Sequence, residues 1–131
     1  MSKTKIQIRF SDIDVMGHVN NAIYLHYFEQ ARMEFFSQFI HKDWDWYKNG
    51  LLLAKNEVEY FFPVGLNDEI YVETNCTKIG NKSFELEYSL FKGDKLCCTG
   101  KSTLVCYDYN AKETINIPNE WLVHLNTLKA V

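Results

Sequence analysis

Tyr24, Tyr27, Phe28, Ala31, Phe35 and Phe39 recur at steps of three and four residues. That spacing places six apolar side chains, most of them rings, on one face of an α-helix of about five turns. A face this aromatic has to be covered, and the rest of the chain offers almost only strands to cover it. Asn20 or Asn21 supplies a side-chain oxygen for a free backbone N–H where the helix begins. Glu29, Arg32, Glu34 and Gln38 fall on the opposite face. Ahead of the helix, Ile6, Ile8 and Phe10 alternate with polar residues. After it, strands are predicted over 51–62, with Val58, Tyr60 and Phe62 on one face, and over 70–76, 84–90 and 96–109. Pro63 and Gly65 break the first of these, and Gly80-Asn81 and Gly93-Asp94 supply hairpin turns. Pro118 opens a short helical tail carrying Trp121, Leu122, Leu125 and Leu128. No second helix is long enough for right-handed crossovers, so the expected architecture is α+β. One curved, mostly antiparallel sheet covers one long helix.

A chain of 131 residues holds one domain, read here as 1–131. With 47% hydrophobic residues it has material for a packed core, which excludes a disordered chain. The net charge of −3 argues against a nucleic-acid binder, which needs a basic stripe to displace counterions. An anionic small ligand stays open, since a few local Lys or Arg hold a phosphate. No apolar run approaches the roughly 20 residues of a membrane span, and residues 1–5 lead into alternation and not into a signal-peptide core. The expected location is cytoplasmic. Cys76, Cys97, Cys98 and Cys106 show neither a C-x-x-C nor a Cys/His ligand spacing. They are read as small buried strand residues in a reducing compartment. No metal and no organic cofactor is expected, for there is no histidine pair with metal spacing, no phosphate loop and no dinucleotide fingerprint. A Gly-x-Ser-x-Gly elbow is also absent, which disfavours a serine nucleophile.

The stretch from Ser11 to Tyr24 carries the chemistry. Asp12, Asp14, His18, Asn20 and Asn21 crowd into a turn just before the helix. Helix N-termini leave backbone N–H groups unpaired and carry partial positive charge, which suits an oxyanion. A carboxylate a few residues away acts as a general base or a nucleophile. Acyl transfer to water is the chemistry suggested, although Asx turns and caps use the same residue types.

Asp14-x-x-Gly17-His18-Val19-Asn20-Asn21-x-x-Tyr24, followed by Tyr27-Phe28-Glu29-x-Ala31-Arg32, resembles the signature of hotdog-fold acyl-CoA thioesterases of the 4-hydroxybenzoyl-CoA thioesterase-like (YbgC/FadM-type) group. Glu59-Tyr60-x-x-Pro63, Asp68-x-Ile70-x-Val72 and Ile79-Gly80-x-x-Ser83 are similar to the family's meander, so the resemblance runs over about 5–118. It implies a five-stranded antiparallel sheet wrapped around one long central helix, with a short C-terminal helix. It implies pairing of two chains edge to edge, as a homodimer or homotetramer, with active sites at the interface. It implies an acyl-CoA substrate. Asp14 then matches the catalytic carboxylate, Gly17 the tight turn and the Asn21 backbone N–H the donor to the thioester oxygen. His18 and Asn20 would orient the loop or the water, and Tyr24 would pack on the acyl group or the opposing subunit. Lys78, Lys82 and Ser83 fall where the family meets CoA phosphates and pantetheine. Two departures stand out. YbgC-type members have His where this chain has Asn21, and plant acyl-carrier-protein thioesterases have a catalytic Asn where it has Met16.

Other readings remain beside this one. Arg9, Arg32, Lys78 and Lys82 would favour an acyl carrier protein as substrate carrier if they clustered, and a non-catalytic acyl-binding protein would share the fold. Asp12 is read as a solvated or turn residue. Glu29 matches the position type of a helix glutamate that another hotdog subgroup uses for catalysis, but an ion pair with Arg32 is favoured. Trp44, Trp46 and Tyr47 are read as a loop packed on the helix end. His26, His41 and His124 are isolated.

Overall fold

The computed structural model describes residues 2–129. Strands β1 (Ser2–Ile6), β2 (Gly50–Tyr60), β3 (Ile70–Ile79), β4 (Ser83–Lys92), β5 (Lys95–Asp108) and the two-residue β6 (Glu113–Thr114) make one antiparallel sheet. Helix α1 (Ile23–Ser37) lies against it, and α2 (Asn119–Thr127) closes the chain. Strand order is β1-β3-β4-β5-β2, with β6 beside β5. This is the expected fold; β6 was not anticipated from the pattern.

Alternation builds the sheet's inner face. Ile70, Val72, Thr74 and Cys76 of β3 are buried, as are Phe84, Leu86, Tyr88 and Leu90 of β4 and Cys98, Gly100, Ser102, Leu104 and Cys106 of β5. Against them α1 presses Tyr24, Tyr27, Phe28, Ala31, Phe35 and Phe36. Each buried Phe among these contributes about 1.5–3 kcal/mol through burial. Phe28 stacks on Tyr88 at 4.8 Å and occupies the space a side chain at Gly100 would fill, where a Cβ would meet its ring at 2.5 Å. Register shifts at Leu53/Lys55, Cys76/Lys78 and Leu90/Phe91 add twist, which bends the sheet around the helix. Among the described residues β2 pairs only with β5, and it is exposed along most of its length.

Several local expectations change. β1 stops at Ile6, and Phe10 is 83% exposed at the start of a 3-10 turn over Phe10–Asp12. The chain must leave the sheet there to reach the start of α1. Helix α1 begins at Ile23, because the Asn20 side chain accepts the Ala22 N–H and so caps the turn ahead of the helix. Arg32 is buried and not on a solvated face. It pairs with Glu29 at 3.4 Å, as expected. Trp44 and Trp46 pack on Trp121 of α2 at 5.5 and 5.9 Å, while Tyr47 stays exposed. His124 stacks on Phe39. All four cysteines are free and buried, and burial pushes the Cys98 and Cys106 thiols up to about 12. Among the described residues no helix is long and apolar enough to cross a membrane.

Candidate active site

The site is built on the turn between the 3-10 segment and α1. Ile13 and Val19 form a bridge, and the Asp14 N–H donates to the His18 carbonyl at 2.8 Å. Inside this small hairpin the Gly17 N–H donates to the Asp14 carbonyl at 3.1 Å. Gly17 has φ +78° and open space around it, so backbone conformation alone demands glycine there. The Asp14 side chain braces the same loop: Oδ1 accepts the Met16 N–H at 2.9 Å and the His18 N–H at 3.2 Å. The turn is therefore an Asx-type structure. Its brace uses one carboxylate oxygen, and Oδ2 accepts no hydrogen bond among the described residues.

The arm leaving the turn is tied down. Val19 is buried and its N–H donates to the Val64 carbonyl at 2.8 Å, while the Asn20 N–H donates to the Asp12 carbonyl at 2.9 Å. Asn20 then collects the next amides, taking Ala22 N–H on its side chain and Ile23 N–H on its carbonyl. The Asn21 N–H between them donates to nothing among the described residues. The Ile23 bond holds the peptide that carries this N–H, and Tyr60, at the end of β2, donates its hydroxyl to the Asn21 carbonyl at 2.6 Å and holds the next peptide. An unpaired amide just before a helix start is the donor type that stabilises an oxyanion.

Asp14, Met16, His18, Asn21, Tyr24 and Tyr60 line a cavity of about 340 Å³ together with Val19 and the 61–63 segment. Tyr24 is buried edge-on to Tyr60 at 5.2 Å. Burial, with Cys98 and Cys97 nearby, pushes its phenol up to about 12, so it stays neutral. The His18 imidazole is exposed at the rim. The fold thus gathers Asp14, His18, Asn21 and Tyr24 in one cavity, with Gly17 and Asn20 shaping its loop.

It does not gather Lys82 and Ser83 with them. Ser83 pairs with Val105, which pairs with Leu52, eight residues from Tyr60 along β2. That is about 26 Å at roughly 3.3 Å per residue. Lys82 instead reaches Thr114 at 3.5 Å. Nor do the four basic residues weighed for a carrier protein make one patch. Arg9 holds Asp12, Arg32 is buried beside Glu29, and Lys78 and Lys82 sit at the far hairpin between β3 and β4.

Three residues escaped the sequence reading. Asp12 is not solvated: it is 1% exposed, and it accepts the Tyr27 hydroxyl at 2.7 Å, the Arg9 N–H at 3.0 Å and the Arg9 guanidinium at 3.2 Å. Burial raises its pKa, but these three hydrogen bonds outweigh burial and hold it below the usual carboxylate range. Tyr27 and Tyr60 reach the turn across 15 and 39 residues of chain. Only helical register hinted at the first, and no local pattern pointed to the second. A second groove of about 480 Å³ runs between α1 and β2, lined by Arg32, Met33, Phe36, Trp46, Leu53 and Tyr109 among others.

Comparison with known proteins bears on this site. The thioesterase-like superfamily profile matches residues 8–125. The 1,4-dihydroxy-2-naphthoyl-CoA hydrolase of Microcystis aeruginosa is 25% identical over 93% of this chain and 93% of its own length. The long-chain acyl-CoA thioesterase FadM of Escherichia coli is 26% identical, over 90% of this chain and 92% of its own. A thioesterase from Thermus thermophilus, solved in complex with coenzyme A and Zn, superposes with a TM-score of 0.84 at 28% identity, covering 98% of this chain and 93% of that one.

Proposed function

The chain belongs to the thioesterase-like superfamily, and from that premise we propose that it hydrolyses an acyl-CoA thioester at the Asp14 turn, giving free CoA and a carboxylic acid. One observation carries the reading: a carboxylate with one uncommitted oxygen and an unpaired backbone N–H at Asn21 border the same cavity. Water held by Asp14 Oδ2 passes its proton to the carboxylate as its oxygen bonds to the thioester carbon. The charge that develops on the carbonyl oxygen falls to the Asn21 N–H. Collapse breaks the C–S bond and returns the proton to the departing CoA thiolate. If Oδ2 attacks instead, it bonds to the thioester carbon, the C–S bond breaks and CoA leaves as the thiolate, and water then opens the mixed anhydride to the carboxylic acid and free Asp14. Either route uses the same free oxygen. His18 shapes the loop through its backbone N–H on Asp14.

The working unit is a dimer or a larger assembly of dimers. β2 offers an unpaired edge with Leu53 45% and Tyr60 44% exposed, and lone edges of this kind invite pairing. Two-fold antiparallel pairing of β2 reverses the strand ends. It turns the Lys82–Ser83 end of a second copy towards this chain's Asp14, where CoA needs cationic and polar contacts. The groove between α1 and β2 of that copy then offers apolar space to the acyl group. Four buried free thiols suit a reducing, cytoplasmic setting.

The test is hydrolysis of short, medium, long and aromatic acyl-CoAs, with an acyl carrier protein thioester alongside, and the mass of the protein in solution. Turnover of at least one CoA ester by a species of two or more chains supports the proposal. Turnover of the carrier thioester alone moves the substrate class. Acyl-CoA binding without any turnover identifies a non-catalytic binder and overturns it.

A further inference from the structure

We infer that Asp12, through Tyr27, is a positioning residue for the reaction: the pair sets where the Asp14 carboxylate stands relative to the Asn21 N–H. The inference rests on the roles of Asp14 and Asn21 proposed above, and adds two residues outside the cavity lining.

A carboxylate that is 1% exposed is costly to bury unless hydrogen bonds replace its water. Asp12 has such bonds, and their sources are informative. The Arg9 N–H and guanidinium come from the arm entering the turn. The Tyr27 hydroxyl comes from α1, one turn into the helix. The Asp12 carbonyl also takes the Asn20 N–H, from the arm leaving the turn, next to Asn21. Three parts of the site meet on one residue, two positions before Asp14. Capping a three-residue 3-10 turn needs none of this, since an exposed Ser or Asn serves there. The added element is the tether to α1. Tyr27 packs edge-on to Tyr24 at 6.1 Å, and Tyr24 packs on Tyr60, which holds the Asn21 carbonyl. The carboxylate turn and the amide that takes the oxyanion are thus referenced to the same helical turn. Misplacement by about 1 Å between reacting groups costs on the order of 100-fold in rate, so this tether acts on kcat.

The experiment compares wild type, Tyr27→Phe, Asp12→Ala, Asp12→Asn and Asp14→Asn on one acyl-CoA that wild type hydrolyses, at 25 °C and well below each Tm. Tyr27→Phe deletes one hydroxyl and is expected to lower kcat about tenfold, with KM within about twofold. Asp12→Ala is expected to lose more, and Asp12→Asn, which keeps one acceptor oxygen, to recover most of that loss. A purely structural role would lower Tm and leave kcat alone. The inference is overturned if Tyr27→Phe and Asp12→Ala both keep wild-type kcat while Asp14→Asn is inactive, a result that leaves the proposed chemistry standing. If Asp12→Ala does not fold, Tyr27→Phe decides. If wild type hydrolyses no thioester, the proposed chemistry falls and this inference falls with it.

Discussion

Gly100 sits where β5 passes under α1, and replacing it by alanine tests how tightly the helix is seated. In a strand interior the change from glycine to alanine ordinarily stabilises by roughly 0.5–1 kcal/mol, because the unfolded chain loses freedom. Here the new Cβ would meet Phe28 ring atoms at 2.5, 2.7 and 3.2 Å, inside the 3.4 Å at which ordinary contact begins. The ring must retreat by about 0.9 Å at the closest atom. It cannot swing aside freely, because Phe28 is 2% exposed and lies flat on Tyr88, with 9° between the rings. The retreat therefore has to lift α1. Overpacking of this kind costs about 1–3 kcal/mol, which outweighs the backbone gain. For 131 residues each 1 kcal/mol moves Tm by about 3–5 °C, so a net loss of about 1–2 kcal/mol should lower Tm by about 3–10 °C. Scanning calorimetry on wild type, Gly100→Ala, Phe28→Leu and the double variant measures it. The smaller Leu side chain should relieve the clash, so the double variant should be more stable than the sum of the single effects allows, by about 0.5 kcal/mol or more. A Gly100→Ala protein with unchanged or raised Tm would refute this account of the helix seat.

Acid stability should report Asp12. Its folded pKa lies below the unfolded value near 3.8, so the unfolded chain binds the proton more readily, and the ionised form favours the fold. That contribution is fully present above pH 4–5 and is lost as pH falls through the folded pKa. The Tm advantage of wild type over Asp12→Asn should hold at pH 6 and shrink below about pH 4, as thermal scans across pH would read. The cysteines should be silent in the native state. All four are buried, and burial raises the thiols of Cys76, Cys97, Cys98 and Cys106. A thiol dye should react with none of them rapidly in buffer and with all four in guanidinium. Fast native labelling of any one contradicts the packing described.

Much of the fold was legible because its signals are local. The stripe from Tyr24 to Phe35 marks the helix, although the helix stops at Ser37, a turn short of the expected five and two residues before Phe39; the alternation at 84–90 marks a central strand, and Gly93-Asp94 does make the two-residue turn between Lys92 and Lys95. What local pattern misses is what tertiary packing decides. Phe10 continues the alternation of Ile6 and Ile8, yet it points to solvent because the strand has no partner beyond the Ile6–Ile70 pair. Arg32 has helical spacing suited to a wet face, but the fold buries it. At the site, Asp14, Gly17, His18, Asn20 and Asn21 lie in one short run, so their gathering was readable. The tethers from Tyr27 and Tyr60 close loops of 15 and 39 residues, and nothing near either end announces them. Lys82 and Ser83 look near the site in the motif, yet lie at the other end of the sheet within one chain.

The most direct test of the central claim is the kcat of Asp14→Asn against wild type on the best acyl-CoA. The amide keeps an oxygen for the Met16 and His18 N–H groups, so the turn should hold its shape, while the uncommitted carboxylate oxygen is gone. Loss of a positioned base or nucleophile should lower kcat by about 100- to 10,000-fold, or roughly 3–5 kcal/mol, with KM, assembly and circular dichroism unchanged. A folded, assembled Asp14→Asn protein with kcat within about threefold of wild type would contradict the assignment and move the catalytic carboxylate elsewhere, with Glu29 the next residue to test.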